Sequence, residues 1–353
     1  MKICFLGTYD TDYPRNKILI SGLRQNGIEV VECNIKGGGY FIYFPLIKKF
    51  LATKRDYDYV FCTFPVHLSV FVALLGRKPI IADALVSLYD TAVRDRQLYS
   101  TWNPFAWLLY ILDILIVKIA DHVTVDTVEH KAYFAKWRDP KDITVIPLGV
   151  HSEEFFVVPG AKKPMDQFLV QFHGGYIPLQ GIDKIVEAAR ILKADDSIHF
   201  RLVGGGQQYE EIANRIKTYG LTNVTLVPWQ TVPSLNVMLS EADVIFGVFG
   251  ESAKTNRVIP NKIFQGLAVG KPVITKDTGS VRALFSDEDL VLVQNTGDAI
   301  AEAIVKLKNN PAWCQQLSEN GKKKIAASYR EKEIAQILIN AIKSHLEKPP
   351  NTK

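Results

Sequence analysis

The chain has 353 residues, 47% of them hydrophobic and 22% charged. That composition excludes a disordered chain and a disulfide-stapled mini-protein, and the length suggests about two domains. The net charge of +5 is too dilute for a nucleic-acid binder, which concentrates its cations in a patch. Cys4, Cys33, Cys62 and Cys314 are far apart and have no CxxC pair or His cluster, so no metal site is expected. Cys4 and Cys62 lie in apolar runs and read as core thiols of a reducing compartment. The start MKICFLGTYDTDY is too short in apolar residues for a signal-peptide core, so a cytoplasmic location is expected.

In chain order, Lys2–Leu6 reads as a short apolar strand. Asn16–Gln25 is an amphipathic helix stopped by Asn26-Gly27. Strands follow at Val30–Cys33, Tyr59–Thr63, Pro79–Ala82, His122–Val125 and Thr144–Pro147, with helical patterns between most of them. This βαβ alternation implies a parallel sheet. Phe105–Ala120 is almost apolar but is interrupted by Asp113 and Lys118, and falls short of the roughly 20 apolar residues a span needs. A helix buried in the domain and a helix lying at a bilayer surface both stay open. Phe41–Arg55 mixes aromatics with Lys48, Lys49, Lys54 and Arg55. That suits an anionic membrane surface, or else is a solvated face.

The polar Pro159–Pro164 stretch marks a boundary, after which the pattern restarts. Strands are expected at Phe168–Phe172, His199–Val203, Val224–Val227, Val244–Val248 and Pro272–Thr275. Helices are expected at Ile182–Leu192, Tyr209–Lys217, Lys262–Val269 and Ala299–Lys308, the last capped by Asp298. The expected organisation is residues 1–160, residues 161–330 and a terminal helical segment, 331–353, that packs on either unit. Ligands of open α/β sheets bind at the carboxyl ends of strands, so the post-strand loops carry the functional search.

Three such loops of the second half suit a phosphate. His173–Gly181 places Gly174 and Gly175 ahead of a helix start, which favours an anion; a tight turn is the other reading. Gly204–Gly206 follows a strand but lacks the third glycine of a dinucleotide fingerprint. Phe249–Gly270 gathers Lys254, Arg257 and Lys262 at the entrance of a helix. Cations there oppose the macrodipole, a conflict that a bound diphosphate resolves. Three solvated cations are the alternative.

HGGYIPLQGID, FRLVGGGQQYEEI and the EADVIFGVFGES to IPNKIFQGLAVGKPVIT stretch resemble, in order and separation, the donor-binding domain of glycosyltransferase family 4. The IPLGV run at Ile146–Val150 and Phe155 resembles the family's link between domains. The resemblance covers most of the chain, strongly from about Thr144 to Thr278. It implies a GT-B fold: two facing Rossmann-like, doubly wound α/β domains with a cleft between them, and the terminal helix crossing back to the first. It implies transfer of a sugar, with retention, from a nucleotide-diphospho-sugar co-substrate to a glycan or lipid-linked acceptor hydroxyl. No permanently bound cofactor, metal or nucleic acid is expected. Peripheral contact with the inner face of the membrane is an open reading.

The chain departs from that family's pattern. Gly175 and Gln180 stand where the family carries an Arg and a Lys for the donor diphosphate. Gln265 stands for the second of two Glu residues eight positions apart, the one that meets the nucleotide ribose. By count the first falls on Arg257, and Glu251 takes the role only across a longer loop. The candidate catalytic residues are therefore Arg257, Lys262, Glu251 and Asp83. The candidate donor-binding residues are Gly174, Gly175, Gln180, Gly204, Gly206, Lys254, Asn261 and Gln265.

In the first half, Arg15 is a cation at a helix start and is expected to face a phosphate or an acidic acceptor. Asp83 stands near the position of a family histidine and offers a carboxylate to sugar hydroxyls. Asp90, Arg94 and His130 complete the acceptor-side candidates, and Asp126 or Thr127 is expected to cap the helix carrying His130. Two other classes fit the same sequence. One is an epimerase or phosphorylase of the same fold, a phosphorylase holding pyridoxal phosphate on a lysine. The other is a non-catalytic nucleotide-binding assembly protein.

Overall fold

The computed structural model describes residues 1–37, 40–163 and 166–347. Pro164, the last residue of the expected linker, and the tail from 348 lie outside them. The chain divides into two compact units, Met1–Gly149 with Tyr329–Lys353, and Val150–Ser328.

The first unit runs β1 (Lys2–Gly7), α1 (Pro14–Gln25), β2 (Glu29–Asn34), α2 (Tyr43–Ala52), β3 (Tyr59–Cys62), α3 (Ser69–Ala73), β4 (Ile80–Asp83), α4 (Pro104–Ile119), β5 (His122–Val125), α5 (Val128–Phe134) and β6 (Ile143–Val145). Its six parallel strands are ordered β2-β1-β3-β4-β5-β6. Every residue of β3, β4 and β5 is buried, as expected for parallel strands covered on both faces. Inward residues of α2, α3, α4 and α5, such as Phe50, Val70, Ile116 and Phe134, share one core over one side of this sheet.

The second unit runs β7 (Phe168–Gly175), α6 (Ile182–Ile191), β8 (Ile198–Gly205), α7 (Tyr209–Tyr219), β9 (Val224–Val227), α8 (Val232–Glu241), β10 (Val244–Phe246), α9 (Asn261–Ala268), β11 (Val273–Lys276), α10 (Gly279–Arg282), β12 (Val291–Val293), α11 (Gly297–Lys308) and α12 (Pro311–Ser328). The strand order is β12-β11-β10-β7-β8-β9, again parallel. The short strand β12 has no counterpart among the expected strands. α11 is capped by Thr296, whose side chain accepts from the Ala299 amide, not by Asp298, which lies inside the first turn.

The units part at Gly149–Val150, about ten residues ahead of Pro159. Backbone hydrogen bonding accounts for this. The Phe156 amide donates to Asn236 Oδ1 and the Val158 amide to Ser240 Oγ, so the segment before Pro159 is already held on α8. The last helix, α13 (Glu331–His345), returns to the first unit and lies against α1. Gly22 permits the contact: a Cβ there would sit 1.8 Å from the Glu331 carbonyl oxygen. Gln25 Nε2 donates to Glu331 Oε1 and Asn26 Nδ2 to the Lys332 carbonyl.

Each sheet reverses its strand order once. In the first unit the chain leaves β1 for β2 on one side and returns to β3 on the other. In the second, β8 and β9 extend one side of β7 while β10 lies on the other. Such switch points part the loops and leave a crevice at the carboxyl ends of the flanking strands. In the second unit that crevice lies after β7 and β10.

Candidate functional site

At the switch point of the second unit, β7 continues into the glycines that read as loop. Gly174 and Gly175 are rungs of the ladder, paired with Gly204 and Gly205 of β8. Gly204 has φ +132°, and a Cβ there would lie 2.1 Å from the Gly174 carbonyl oxygen. Its lack of a side chain serves the approach of one strand to another, which corrects the expectation that it makes room for a ligand. Gly206 is placed similarly, against the Tyr176 amide. Gly175 differs, because a Cβ there meets nothing within 4 Å.

Lys262 lies in the first turn of α9, a helix start with no side-chain cap. Its side chain is buried. Nζ donates to Gln180 Oε1 and stands 3.9 Å from the centre of the Phe172 ring. A Cβ on Gly174 would be 3.3 Å from the same nitrogen. Burial pushes the Lys262 ammonium well below the ordinary lysine range. A cation therefore reaches Gln180, the position where the family resemblance implied a lysine, but from α9.

Beside it, His173 Nε2 and Gln265 Oε1 are 2.8 Å apart, both side chains buried. Burial, and then the Lys262 charge, push the His173 imidazole down to about 3. It is neutral near pH 7, so Nε2 carries the proton donated to Gln265. Its Nδ1 is buried with no hydrogen-bond partner among the described residues, as is Asn261 Oδ1 at the first position of α9. Sequence reasoning passed over His173 itself. The signal was a histidine directly before the two glycines.

Lys254 is buried and Arg257 half-buried, both in the segment between β10 and α9. Glu251 lies in the same segment. It is exposed and forms an ion pair with Lys184 at 2.7 Å, which holds its carboxyl below the usual carboxylate range. Trp229, also passed over, follows β9 and is 64% exposed, with its indole nitrogen 3.5 Å from where a Gly205 Cβ would be.

Several candidate polar residues of the first unit are committed to one another. Arg15 is 1% exposed. Its Nη2 and Nε donate to Asp83 at 2.8 and 3.1 Å, and its Nη1 to the Ile146 and Pro147 carbonyls at 2.7 and 3.0 Å. Thr124 Oγ1 donates to the same carboxylate. This corrects two expectations: Arg15 answers its helix dipole with Asp83 in place of an external anion, and Asp83 spends its oxygens on Arg15 and Thr124. His130 Nδ1 lies 2.5 Å from Asp126 Oδ1, while Thr127 caps the helix through the His130 amide.

Asp113, whose charge broke the apolar run, is fully buried. It accepts from Ser87 Oγ and from the Leu88 and Tyr89 amides, and lies 3.3 Å from His67 Nε2. It thereby organises the loop before Asp90, whose amide donates to Ser87 Oγ. Arg94 is half exposed, 3.9 Å from Asp90 and above the Tyr89 ring.

Residues 157–324 match the family model described as glycosyl transferases group 1. This segment, just under half of the chain, is similar to the group 1 glycosyl transferases. The curated relatives it resembles are glycosyltransferases as well. A lipopolysaccharide core biosynthesis glycosyltransferase, LpsD, of Rhizobium meliloti is 25% identical over 51% of this chain and 50% of its own length. A putative teichuronic acid biosynthesis glycosyltransferase, TuaC, of Bacillus subtilis is 24% identical over 51% of this chain and 45% of its own. The chain spans about half the length of the curated relatives it matches. Among solved structures, sucrose-phosphate synthase of Thermosynechococcus elongatus superposes with TM-score 0.78 at 19% identity, covering 98% of both chains. Anabaena HepE in complex with UDP-glucose superposes with TM-score 0.75 at 16% identity, over 98% of this chain and all of that one. At those identities the likeness concerns the fold, and the GT-B class expected from the sequence holds: two Rossmann-like parallel-sheet units, the second of them the group 1 segment.

Proposed function

We propose that this chain is a glycosyltransferase that moves a sugar, with retention, from a nucleotide-diphospho-sugar to an acceptor hydroxyl in glycan or glycolipid assembly. The observation that carries the reading is Lys262: a buried lysine at an uncapped helix N-terminus, at the switch point of the second unit, beside Gly174 and so one residue from the open Gly175 position. A buried cation with a depressed affinity for its proton is stabilised by an incoming anion, and a helix N-terminus adds to the attraction. On this reading Lys262 and the helix start hold the donor diphosphate. They stabilise the charge that grows on it as the sugar–phosphate bond breaks. The acceptor attacks from the leaving-group side and the diphosphate takes its proton, so positioning and charge stabilisation are the protein's main work.

The remaining roles follow from placement. The His173–Gln265 pair presents amide and imidazole groups to the ribose without a carboxylate. Trp229 offers a flat apolar face to the base. Lys254, Arg257 and Asn261 border the diphosphate. Asp90, Arg94 and His130 are the acceptor-side residues of the first unit. The acceptor is a glycan or lipid-linked hydroxyl, and the protein works in the cytoplasm at the membrane surface. Among the described residues no helix is long and apolar enough to cross a membrane.

Donor hydrolysis with UDP-, GDP- and ADP-sugars, together with calorimetric titration of the nucleotides, tests the reading. Turnover of one donor, lost in Lys262→Met, is expected. Absence of nucleotide binding overturns the donor site. Binding without turnover supports an assembly protein, and isomerised donor supports an epimerase.

A further inference from the structure

The outer face of α2 is built unlike a solvated helix. Leu46 and Phe50 point into the core, while Phe44, Lys48 and Leu51 succeed one another along the exposed side, preceded by Phe41 and followed by Arg55. Phe41 is 85% exposed, Phe44 72% and Leu51 55%. The turn after α3 continues this surface with Leu74 and Leu75, both exposed, and Arg55 Nη2 donates to the Leu75 carbonyl. Between the two segments lies a cavity of about 240 Å³, lined by Leu51, Lys54, Arg55, Tyr57 and Leu75 among others. The Tyr57 hydroxyl is buried there without a geometrically satisfied hydrogen-bond partner among the described residues.

Charge is one-sided. Residues 41–55 and 74–78 contain Lys48, Lys49, Lys54, Arg55, Arg77 and Lys78 and no Asp or Glu. Asp56, next in the chain, is bound by Lys2 at 2.7 Å. Lys54, Arg55 and Arg77 hold left-handed backbone at φ 54°, 58° and 53°, a cost that non-glycine residues seldom carry. A second copy of this chain is a poor occupant, because a two-fold contact sets a patch against itself and brings like charges together. Exposed aromatics and leucines between cations fit a phospholipid interface, where rings and aliphatic chains enter the acyl boundary and ammonium and guanidinium groups meet phosphates.

We propose that this face of the first unit docks on an anionic phospholipid bilayer, with the Lys54–Arg55–Tyr57 cavity taking a lipid phosphate group. The inference rests on the peripheral-membrane part of the proposed function and is independent of the donor site.

The test is sedimentation of the full chain with vesicles of phosphatidylcholine alone and of phosphatidylcholine mixed with phosphatidylglycerol. Binding to the mixed vesicles, released by salt, is expected. Lys48→Glu combined with Lys54→Asn should weaken it by at least about tenfold, since each surface cation near anionic lipid contributes about 1 kcal/mol; Asn tolerates the left-handed turn. Phe44→Ser with Leu51→Ser, both on the exposed side, should weaken it by a similar factor. Equal binding to neutral and anionic vesicles overturns the proposal, as do variants that bind like the parent. Binding of soluble glycerol phosphate without vesicle binding also overturns it and marks a free-phosphate site. Donor hydrolysis in solution separates the two readings. Vesicle binding with no nucleotide binding leaves the docking and removes the transferase. Nucleotide turnover with no vesicle binding does the reverse.

Discussion

The two sheets end in polar clusters of opposite character. In the first unit, Arg15 and Asp83 close on each other with Thr124 and two carbonyls, and Asp113 is satisfied by a hydroxyl and two amides. In the second, Lys262 has a neutral amide and a ring face for company, His173 Nδ1 and Asn261 Oδ1 have no hydrogen-bond partner among the described residues, and Gly175 faces open space. A buried charge answered by an opposite charge holds a fold in place. One answered only by neutral groups pays desolvation without full return and is ready for a ligand. The contrast therefore separates polar residues that build the first unit from those proposed to meet the donor.

The sharpest break is Asp83→Asn. If Asp83 is structural, the variant leaves the buried guanidinium without its counter-charge and loses about 3–5 kcal/mol in urea unfolding. A fully stable Asp83→Asn protein with dead turnover would restore Asp83 to catalysis. Next comes Lys262→Met. Its turnover is expected to fall about 10²- to 10³-fold, the cost of one missing transition-state donor, while thermal stability holds or rises as a desolvated charge is removed. A variant that keeps its turnover ends the leaving-group assignment.

A smaller effect comes from the glycines. Gly204→Ala should destabilise by about 1–3 kcal/mol, since its Cβ strikes the Gly174 carbonyl. Gly175→Ala should stay within about 0.5 kcal/mol of the parent and alter nucleotide affinity instead. Equal stability losses in the two variants would erase the distinction between packing and open glycine.

The last comparison is the pH slope, read one pH unit at a time. His173 binds its proton less well folded than unfolded, so between about pH 3 and 6.5 the unfolded state holds more protons. Stability then rises with pH across that window and is lost as pH falls through it, by at most about 1.4 kcal/mol per unit from this group. Urea titrations of the parent and His173→Gln should show a shallower acid slope in the variant. Parallel slopes would mean that His173 is not held neutral by its burial.

Much of this was legible in the chain. The strands at His122–Val125 and Val224–Val227 stand where the β-rich runs put them, the first buried throughout inside its sheet and the second at the edge of its sheet with Thr225 exposed. The glycine loops and the cations at the entrance of α9 pointed to the strand ends at the switch point, where the donor is proposed to bind, through punctuation and helix-end electrostatics. Partner choice was not legible. Arg15 at a helix start and Lys262 at a helix start look alike in sequence. Only the fold brings Asp83, 68 residues away, against the first, and Gln180, 82 residues away, against the second. Asp113 could be seen to break an apolar helix, but not to bind the loop before Asp90. Periodicity and composition act within a few residues and were sufficient for most elements and the sheet type. Which charges neutralise each other depends on contacts across the sheet, and those decide which polar residues remain for chemistry.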